Sequence, residues 1–569
     1  GKFQASIDME GDAKGHEIVV SVRSLKDGKT VYTSNGQTTI THPINNSGKE
    51  QMISGEWTNI VPWSTEAPNL YVVKLELKNP EGKIVQTRET RIGFRTVEFF
   101  PQDGVYLNGT KLVIKGINRH SFSVDGGRTT NAALSRMDAQ LIKEMNMNAV
   151  RSHYPPDEHF LDMCDSLGLV YMDELAGWQN SYDSKVGAKL VKEMIERDVN
   201  HPCIILWSNG NEGGWNTQTD PLFAQYDRLQ KRHMVHPWAD FNELDTHHYP
   251  TYLTGVARFT NGYKVFMPTE FMHAMYDQGG GAGLRDFWDR WCTNPLFAGG
   301  FIWVYCDEAP KRSDKGGILD SDKSNAPDGV VGPRREKEGS YYAIRAQWSP
   351  IQLKPLLITN HFDGSFLLTN EYTFTNLKDC RMSYKVLTCG TPLQGNTETG
   401  KVIAEGGVQL PSINPGETGT ARFELPDSFR EGDILELEAF DKEGKSICNW
   451  TYPIHLVKRY FERKLTQAAP TPAPPKAEAR QTADAIELKS SKVCVTFDAA
   501  TGMIRHITSG ETEVPFKDGP VAVGMKMRYE PSLSYTRHSS DGAIYCAKYK
   551  GAADSIVSVS YTHLTLPTN

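Results

Sequence analysis

From about residue 100 to residue 307 the chain repeats one pattern: short apolar runs that end in polar residues, separated by segments of helical spacing. The runs are Lys111–His120, Asn148–His153, Leu169–Glu174, Ile204–Glu212, Val235–Asp240, Asp245–Tyr249, Val265–Glu270 and Phe297–Asp307. Between the first two, Ser135–Met145 carries Met137, Leu141, Ile142 and Met145 at helical spacing, and Asp157–Leu167 and Ala188–Asn200 also read as helices. A parallel strand covered on both faces is a continuous apolar run, because both its faces are dry. Eight such runs with helices between them, over about 250 residues, predict a (β/α)8 TIM barrel.

The flanks have a different rhythm. Residues 1–96 alternate polar and apolar in short runs such as Glu17–Val22 and Leu70–Leu77, broken by the turn signals Asp27-Gly28 and Asn79-Pro80-Glu81-Gly82. That pattern predicts a small immunoglobulin-like β-sandwich. With the barrel at 97–350, a second such sandwich is expected at 351–465, where Phe366-Leu367-Leu368, Tyr372-Thr373-Phe374 and Leu435–Phe440 read as strands. An Ala/Pro-rich linker at 466–480 and a partial C-terminal β-sandwich domain at 481–569 complete a multidomain α/β plus all-β chain. A length of 569 residues, too great for one core, agrees with several domains. Gly1–Ile7 already reads as a strand, with no initiator Met or leader before it, and Ser560–Asn569 breaks off a strand pattern. The expectation is a fragment, truncated at its start and either truncated or foreign at its end.

Composition excludes some functions. With 62 Lys plus Arg against 69 Asp plus Glu, a net charge of −7 and no basic run, the chain is a poor nucleic-acid binder. No window holds 18 consecutive apolar residues, so no membrane-spanning helix is expected. The nine Cys are scattered and form no CxxC, against a zinc knuckle or redox pair. Cys164, Cys203, Cys292 and Cys306 lie in apolar runs and read as buried thiols.

The chemistry lies at the strand ends. Leu206-Trp207-Ser208-Asn209-Gly210-Asn211-Glu212 and Met267-Pro268-Thr269-Glu270-Phe271 are apolar runs that end in a carboxylate. At the C-terminal rim of one barrel, two glutamates suit glycoside hydrolysis, in which a retaining enzyme holds its carboxyl groups about 5–5.5 Å apart. The competing reading for each is a carboxylate that pairs with an arginine at the rim. Arg151 and His153 end the second run, where an arginine would keep a neighbouring nucleophile ionised. Asn118, Arg119 and His120 end the first run. His247, His248 and Tyr249 end the sixth; adjacent strand residues face opposite ways, so the two His are poor joint metal ligands. Trp303 follows Gly299-Gly300-Phe301-Ile302, where paired glycines predict close backbone approach and the indole is suited to floor a sugar site. Gly279–Gly283 lacks the ending of a phosphate loop and is discounted.

Taken in order, Gly116–His120, Asn148–Pro155, Leu206–Ser208 with Gly210–Glu212, Thr269–Met275 and Gly299–Trp303 resemble glycoside hydrolase family 2, especially its bacterial β-galactosidases. The resemblance implies a retaining exo-β-glycosidase that removes terminal β-D-galactosyl residues from an oligosaccharide or polysaccharide. Glu212 would be the general acid/base, Asn211 would bind the sugar 2-hydroxyl, and Glu270 would be the nucleophile. Arg151, His153, His273 and Trp303 would line the terminal-sugar subsite, beside the candidates His120, His248 and Tyr249. Glu212 must then start protonated and Glu270 ionised.

Several features depart from the family. The jelly-roll domain that usually opens it is not visible. The third-strand block Asp173-Glu174-Leu175-Ala176-Gly177-Trp178 lacks the Glu-x-His pair that holds magnesium in some members, so no metal and no cofactor are expected. Phe271 follows the nucleophile where Tyr is common, and the Asn-x-Lys signature of β-glucuronidases is not evident after Trp303. The alternatives are a β-glucuronidase or other uronic-acid exo-enzyme, and a non-catalytic carbohydrate-binding barrel. Sandwich contacts between copies in a homo-oligomer, and a periplasmic or secreted location, are further expectations.

Overall fold

The computed structural model describes all residues except 46–49, 262–263, 274–280, 282, 323–324, 355–356, 391–399, 457, 459–477, 491–492, 520–527, 530–534, 540–541, 551–554 and 562–569. The chain divides into two compact units, residues 1–390 with 398–455, and residues 391–397 with 456–569.

The first unit opens with two antiparallel sheets. One runs Thr39–Pro43, Glu17–Ser24, Tyr71–Lys78, Ile84–Ile92 in spatial order; the other pairs Lys2–Asp8 with Glu50–Glu56. The alternation in Glu17–Ser24 turns Ile18, Val20 and Val22 onto Trp57, Tyr71 and Val73 in a core of their own. A short antiparallel meander follows, Val97–Phe100, Gly104–Leu107 and Thr110–Lys111, and its Val105 and Leu107 belong to the barrel core. Lys111 therefore lies in the meander, and the first barrel strand begins at Ile114.

A curled parallel sheet forms the barrel. Six strands pair in the order His233–Val235, Ile204–Asn211, Val170–Trp178, Ala149–His153, Ile114–His120, Gly299–Ile302. Leu244–Asp245 and Val265–Phe266 pair in parallel beside them, and bridges from Phe266 to Phe297 and from Phe271 to Ile302 join the seventh strand to the eighth. Every residue of Ile204–Asn211 is buried, as the apolar run requires. Each large apolar side chain so buried contributes ~1.5–3 kcal/mol. The helices Ala132–Glu144, Glu158–Leu167 and Ser184–Asp198 lie where helical spacing places them.

The fifth strand is His233–Val235 rather than Val235–Asp240, because Trp238, Asn242 and Glu243 adopt left-handed φ and fold Asp240–Phe241 back on Leu244–Asp245. Likewise the sixth, seventh and eighth ladders are shorter than the apolar runs that contain them. His248, Tyr249, Glu270 and Trp303 lie beyond the ends of these short ladders.

Two further sheets follow the barrel. Ile351–Leu353, Ser365–Asn370 and Thr418–Arg422 form one; Lys401–Gln409, Arg381–Thr388, Ile434–Phe440 and Ser446–Pro453 form the other, over a core of Leu368, Met382, Val386, Leu435 and Leu437. Tyr372–Phe374 is a loop, not a strand: Glu66 accepts the backbone N–H groups of Thr373 (2.7 Å), Phe374 (3.0 Å) and Thr375 (2.7 Å), which a ladder would otherwise use.

In the second unit, Glu478–Gln481, Ala485–Ser490, Val493–Asp498, Ile504–Ser509 and Thr512–Val514 make an antiparallel sheet. A second sheet centres on Gly542–Lys550. Residues 466–477 of the linker lie outside the described residues, and 478–480 belong to the first strand of this unit. All nine Cys are free; Cys164, Cys203 and Cys306 are buried, but Cys292 is exposed, at the end of the helix Leu284–Trp291 whose Trp291 turns inward. Among the described residues no helix is long and apolar enough to cross a membrane.

Candidate active site

Glu212 follows the fourth barrel strand in a left-handed conformation, φ 47°. That backbone costs a glutamate about 1–3 kcal/mol, and the surroundings hold it there. Its Oε2 accepts the Trp178 indole N–H at 2.8 Å and the Gln179 amide at 3.4 Å; its Oε1 lies 3.1 Å from His248 Nδ1. Glu270 extends from the seventh strand beside His248 and takes the Tyr249 backbone N–H on its carbonyl at 2.8 Å. Its Oε1 receives Arg151 Nη1 at 2.9 Å, and its Oε2 accepts the Tyr249 hydroxyl and lies 3.4 Å from His248 Nδ1. Carboxylate oxygens of Glu212 and Glu270 and His248 Nδ1 all lie within 4.8 Å of one another.

Arg151 is fully buried and ties four strand ends together. It donates to Glu174 Oε2 through Nε (2.9 Å) and Nη2 (2.6 Å), to Asn118 Oδ1 (2.8 Å), to Asn211 Oδ1 (2.7 Å) and to Glu270. Asn118 in turn donates to the Thr269 carbonyl at 2.9 Å. Both readings of a rim arginine thus hold at once: it pairs a structural carboxylate and steadies Glu270.

The opposite wall is aromatic. Trp303 is half-buried, and His120, His153 and His273 pack round it with ring centroids 5.5, 5.2 and 6.0 Å away. Its Nε1 donates to Asp328 at 3.1 Å, His273 Nε2 is 3.5 Å from the same carboxylate, and His120 pairs with Glu308. Behind it the glycine pair is required: a Cβ on Gly299 would meet the Ile114 carbonyl at 2.0 Å and one on Gly300 the Pro268 carbonyl at 2.7 Å.

Family models, curated relatives and a solved structure match this chain. The family model "Glycosyl hydrolases family 2, TIM barrel domain" matches residues 101–319, "Glycosyl hydrolases family 2" matches residues 1–95, and "Beta-galactosidase, domain 4" matches residues 366–449. The chain belongs to glycoside hydrolase family 2. Among curated relatives, β-galactosidase BgaC of Bifidobacterium adolescentis is 26% identical over 499 residues, covering 79% of this chain and 44% of that protein. The β-galactosidase of Priestia megaterium is 29% identical over 460 residues, covering 70% of this chain and 43% of the relative. This family 2 chain therefore spans under half the length of these relatives. A β-glucuronidase structure from Parabacteroides merdae shares the fold, with TM-score 0.51 and 14% identity over 99% of this chain and 76% of that one.

Of the residues singled out from this family 2 sequence, Asn118, Arg151, His153, Asn211, Glu212, His248, Tyr249, Glu270, His273, Trp303 and His120 gather at one mouth. His247 does not: its Nδ1 lies 3.4 Å from Arg258, on the other face from His248. Arg119 points away from the mouth to Asp138. Ala274 and Met275, and most of Gly279–Gly283, lie outside the described residues. Glu174, Asp328, Glu308 and Trp178 join the site without having been singled out. Glu174 and Trp178 stand in the third-strand block, but a carboxylate inside an apolar run reads alike whether it meets substrate or an arginine.

Protonation departs from the sequence expectation that Glu212 starts protonated. The His248 hydrogen bond, with Trp178 adding to it and burial opposing, holds Glu212 down to about 2. Burial drives His248 below the ordinary histidine range. The hydrogen-bond chain argues the other way. Thr269 Oγ1 donates to the Thr246 carbonyl (3.1 Å) and so accepts His248 Nε2–H (2.9 Å), which leaves the Nδ1···Oε1 contact a proton of its own. Glu212 and His248 share it as a pair. Holding a cation between Glu212, His248 and Glu270 would mean displacing that proton. A second three-donor group among the described residues, Asp165, His201 and Cys203, has its carboxylate occupied by Arg91, His201 and the Cys203 N–H.

Burial pushes Glu174 up from 4.5 to about 7 despite Arg151. The folded protein thus binds a proton there that the unfolded chain releases. Stability from this group is greatest below the ordinary carboxylate value and falls as pH rises towards 7, by ~1.4 kcal/mol per unit of difference. Glu174→Gln is expected to flatten that fall, measured by urea unfolding at pH 5 and pH 8; an unchanged slope would refute the assignment.

Proposed function

We propose that this barrel is that of a retaining exo-β-glycosidase acting on terminal β-D-galactosyl residues. The observation that carries the reading is the closeness of the two carboxylates, one oxygen of each lying within 4.8 Å of the other. An inverting pair must stand about 6.5–9.5 Å apart to admit water between them, and a retaining pair about 5–5.5 Å. Glu270, paired with Arg151 and aimed by Tyr249, attacks the anomeric carbon. Glu212, with the proton it shares with His248, protonates the departing oxygen and then takes a proton from water. Trp303, His120, His153 and His273 receive the terminal sugar. His153 is kept neutral by burial and by Arg151, and among the described residues its Nδ1 has no hydrogen-bond partner.

A neutral sugar fits this wall better than a uronate. Arg151 is saturated by protein acceptors, and Glu308 puts a carboxylate beside His120, where a sugar carboxylate would be repelled. The β-galactosidase relatives support the same choice. A panel of nitrophenyl β-galactoside, β-glucuronide, β-glucoside and β-mannoside tests the sugar. The expected result is turnover of the galactoside, with the β-anomer appearing first by NMR. First release of the α-anomer would overturn the retaining mechanism, and a preferred glucuronide would overturn the sugar.

A further inference from the structure

Two large indoles at the mouth are not used by the terminal-sugar wall. Trp178 is 60% exposed and Trp238 46% exposed, whereas Trp303 is half-buried. Both sit on the side of Glu212. Trp178 bonds its carboxylate directly through Nε1, and Trp238 stacks on His248, the residue that shares the proton of Glu212, with centroids 5.4 Å apart and planes 12° from parallel.

Trp178 is held in place by backbone rather than left loose on the surface. It pairs in register with Asn211, and the Gln179 N–H bonds the Asn211 carbonyl at 3.1 Å. The two strand ends approach so closely that a Cβ on Gly214 would meet the Gly177 carbonyl at 2.2 Å and one on Gly177 the Gly214 carbonyl at 2.4 Å. With its N–H spent on Glu212, the indole offers solvent only its face and far edge. Trp238 adopts a left-handed backbone, φ 65°, that a bulky residue rarely takes.

We infer that Trp178 and Trp238 form the subsite for the leaving group, and that its occupant is a neutral pyranose. This rests on the glycosidase reading above. The acid must reach the glycosidic oxygen, so the group beyond that oxygen lies on the acid's side of the mouth. A flat, exposed aromatic face there matches the apolar face of a pyranose ring, and the Glu212 carboxylate beside Trp178 disfavours a second carboxylate.

The test partitions the glycosyl-enzyme. β-Galactosyl fluoride, whose leaving group is a single atom, is supplied with methyl β-glucoside as acceptor, and the ratio of transfer to hydrolysis is measured. Water and acceptor use the same carboxylate as base, so the ratio isolates acceptor binding from any change in Glu212. Trp178→Ala and Trp238→Ala are each expected to lower it roughly 3- to 10-fold. Trp238→Ala is the cleaner variant, since Trp238 makes no bond to Glu212. A ratio unchanged in both variants overturns the subsite. Should the fluoride not be consumed at all, the galactosidase reading fails. The subsite is then judged by saturable quenching of tryptophan fluorescence by cellobiose in the Glu270→Gln protein, which needs no turnover. Quenching lost in Trp178→Ala upholds it, and quenching absent or unaltered overturns it.

Discussion

Replacing Glu270 by Gln will leave a folded protein with about 10⁴-fold lower kcat/KM, or less activity still. At 1.36 kcal/mol per decade that is ~5.4 kcal/mol of transition-state stabilisation. The amide keeps the shape of the side chain; its oxygen can still accept Arg151 Nη1, and its NH2 can donate to the Tyr249 hydroxyl oxygen in place of the bond that Glu270 accepted. What it loses is the anion that forms the bond to the anomeric carbon. Folding survives because Arg151 keeps Glu174, Asn118 and Asn211. One cation then faces one anion, and Glu174 is relieved of the charge of Glu270, one of the causes that raise it. Steady-state kinetics on the turned-over nitrophenyl glycoside, with thermal unfolding of both proteins, measures the two halves of this claim. Activity within tenfold of the parent would remove Glu270 from the chemistry and favour a binding barrel.

The second large effect is on stability. Asp138 lies in the helix Ala132–Glu144 and is fully buried between two arginines. Arg119 holds it through Nε at 3.0 Å and Nη2 at 2.8 Å, Arg335 through Nε at 2.7 Å and Nη2 at 3.1 Å, and Tyr305 through its hydroxyl at 3.2 Å. Asp138→Ala strands two buried cations with no anion, and a loss of about 3–5 kcal/mol is expected. Asp138→Asn keeps the acceptor but not the charge and falls between. By contrast, Glu193→Ala, which breaks the exposed pair with Lys189, is expected to cost under about 0.5 kcal/mol. Urea unfolding of the three variants decides it. Equal midpoints for Asp138→Ala and Glu193→Ala would mean that the helix relaxes and water reaches both arginines.

Asp138 illustrates what a linear reading misses. Arg119 stands beside Asn118 and His120 at a strand end and looked equally close to the chemistry. Successive strand residues face opposite ways, so Asn118 enters the mouth and Arg119 meets the surrounding helix. His247 and His248 likewise part, the first towards Arg258 and the second towards Glu212. Asp328 comes from the long segment after the last strand, which has no apolar period to position it. Its role rests on Trp303 and His273 coming to it.

The barrel and the two glutamates were legible without coordinates, because burial on both faces demands unbroken apolar runs and a carboxylate at the end of such a run has few places to go. The short fifth ladder was not, since its length is set by left-handed turns at Trp238, Asn242 and Glu243 rather than by hydrophobicity. Nor was the protonation of the site. Strand position places Glu212 at the rim, but its charge depends on His248, Trp178 and Thr269, which come from three other segments. Hydrophobic pattern is local and survives in the one-dimensional chain. Distances between carboxylates, and the donors that share their protons, exist only once the barrel has closed.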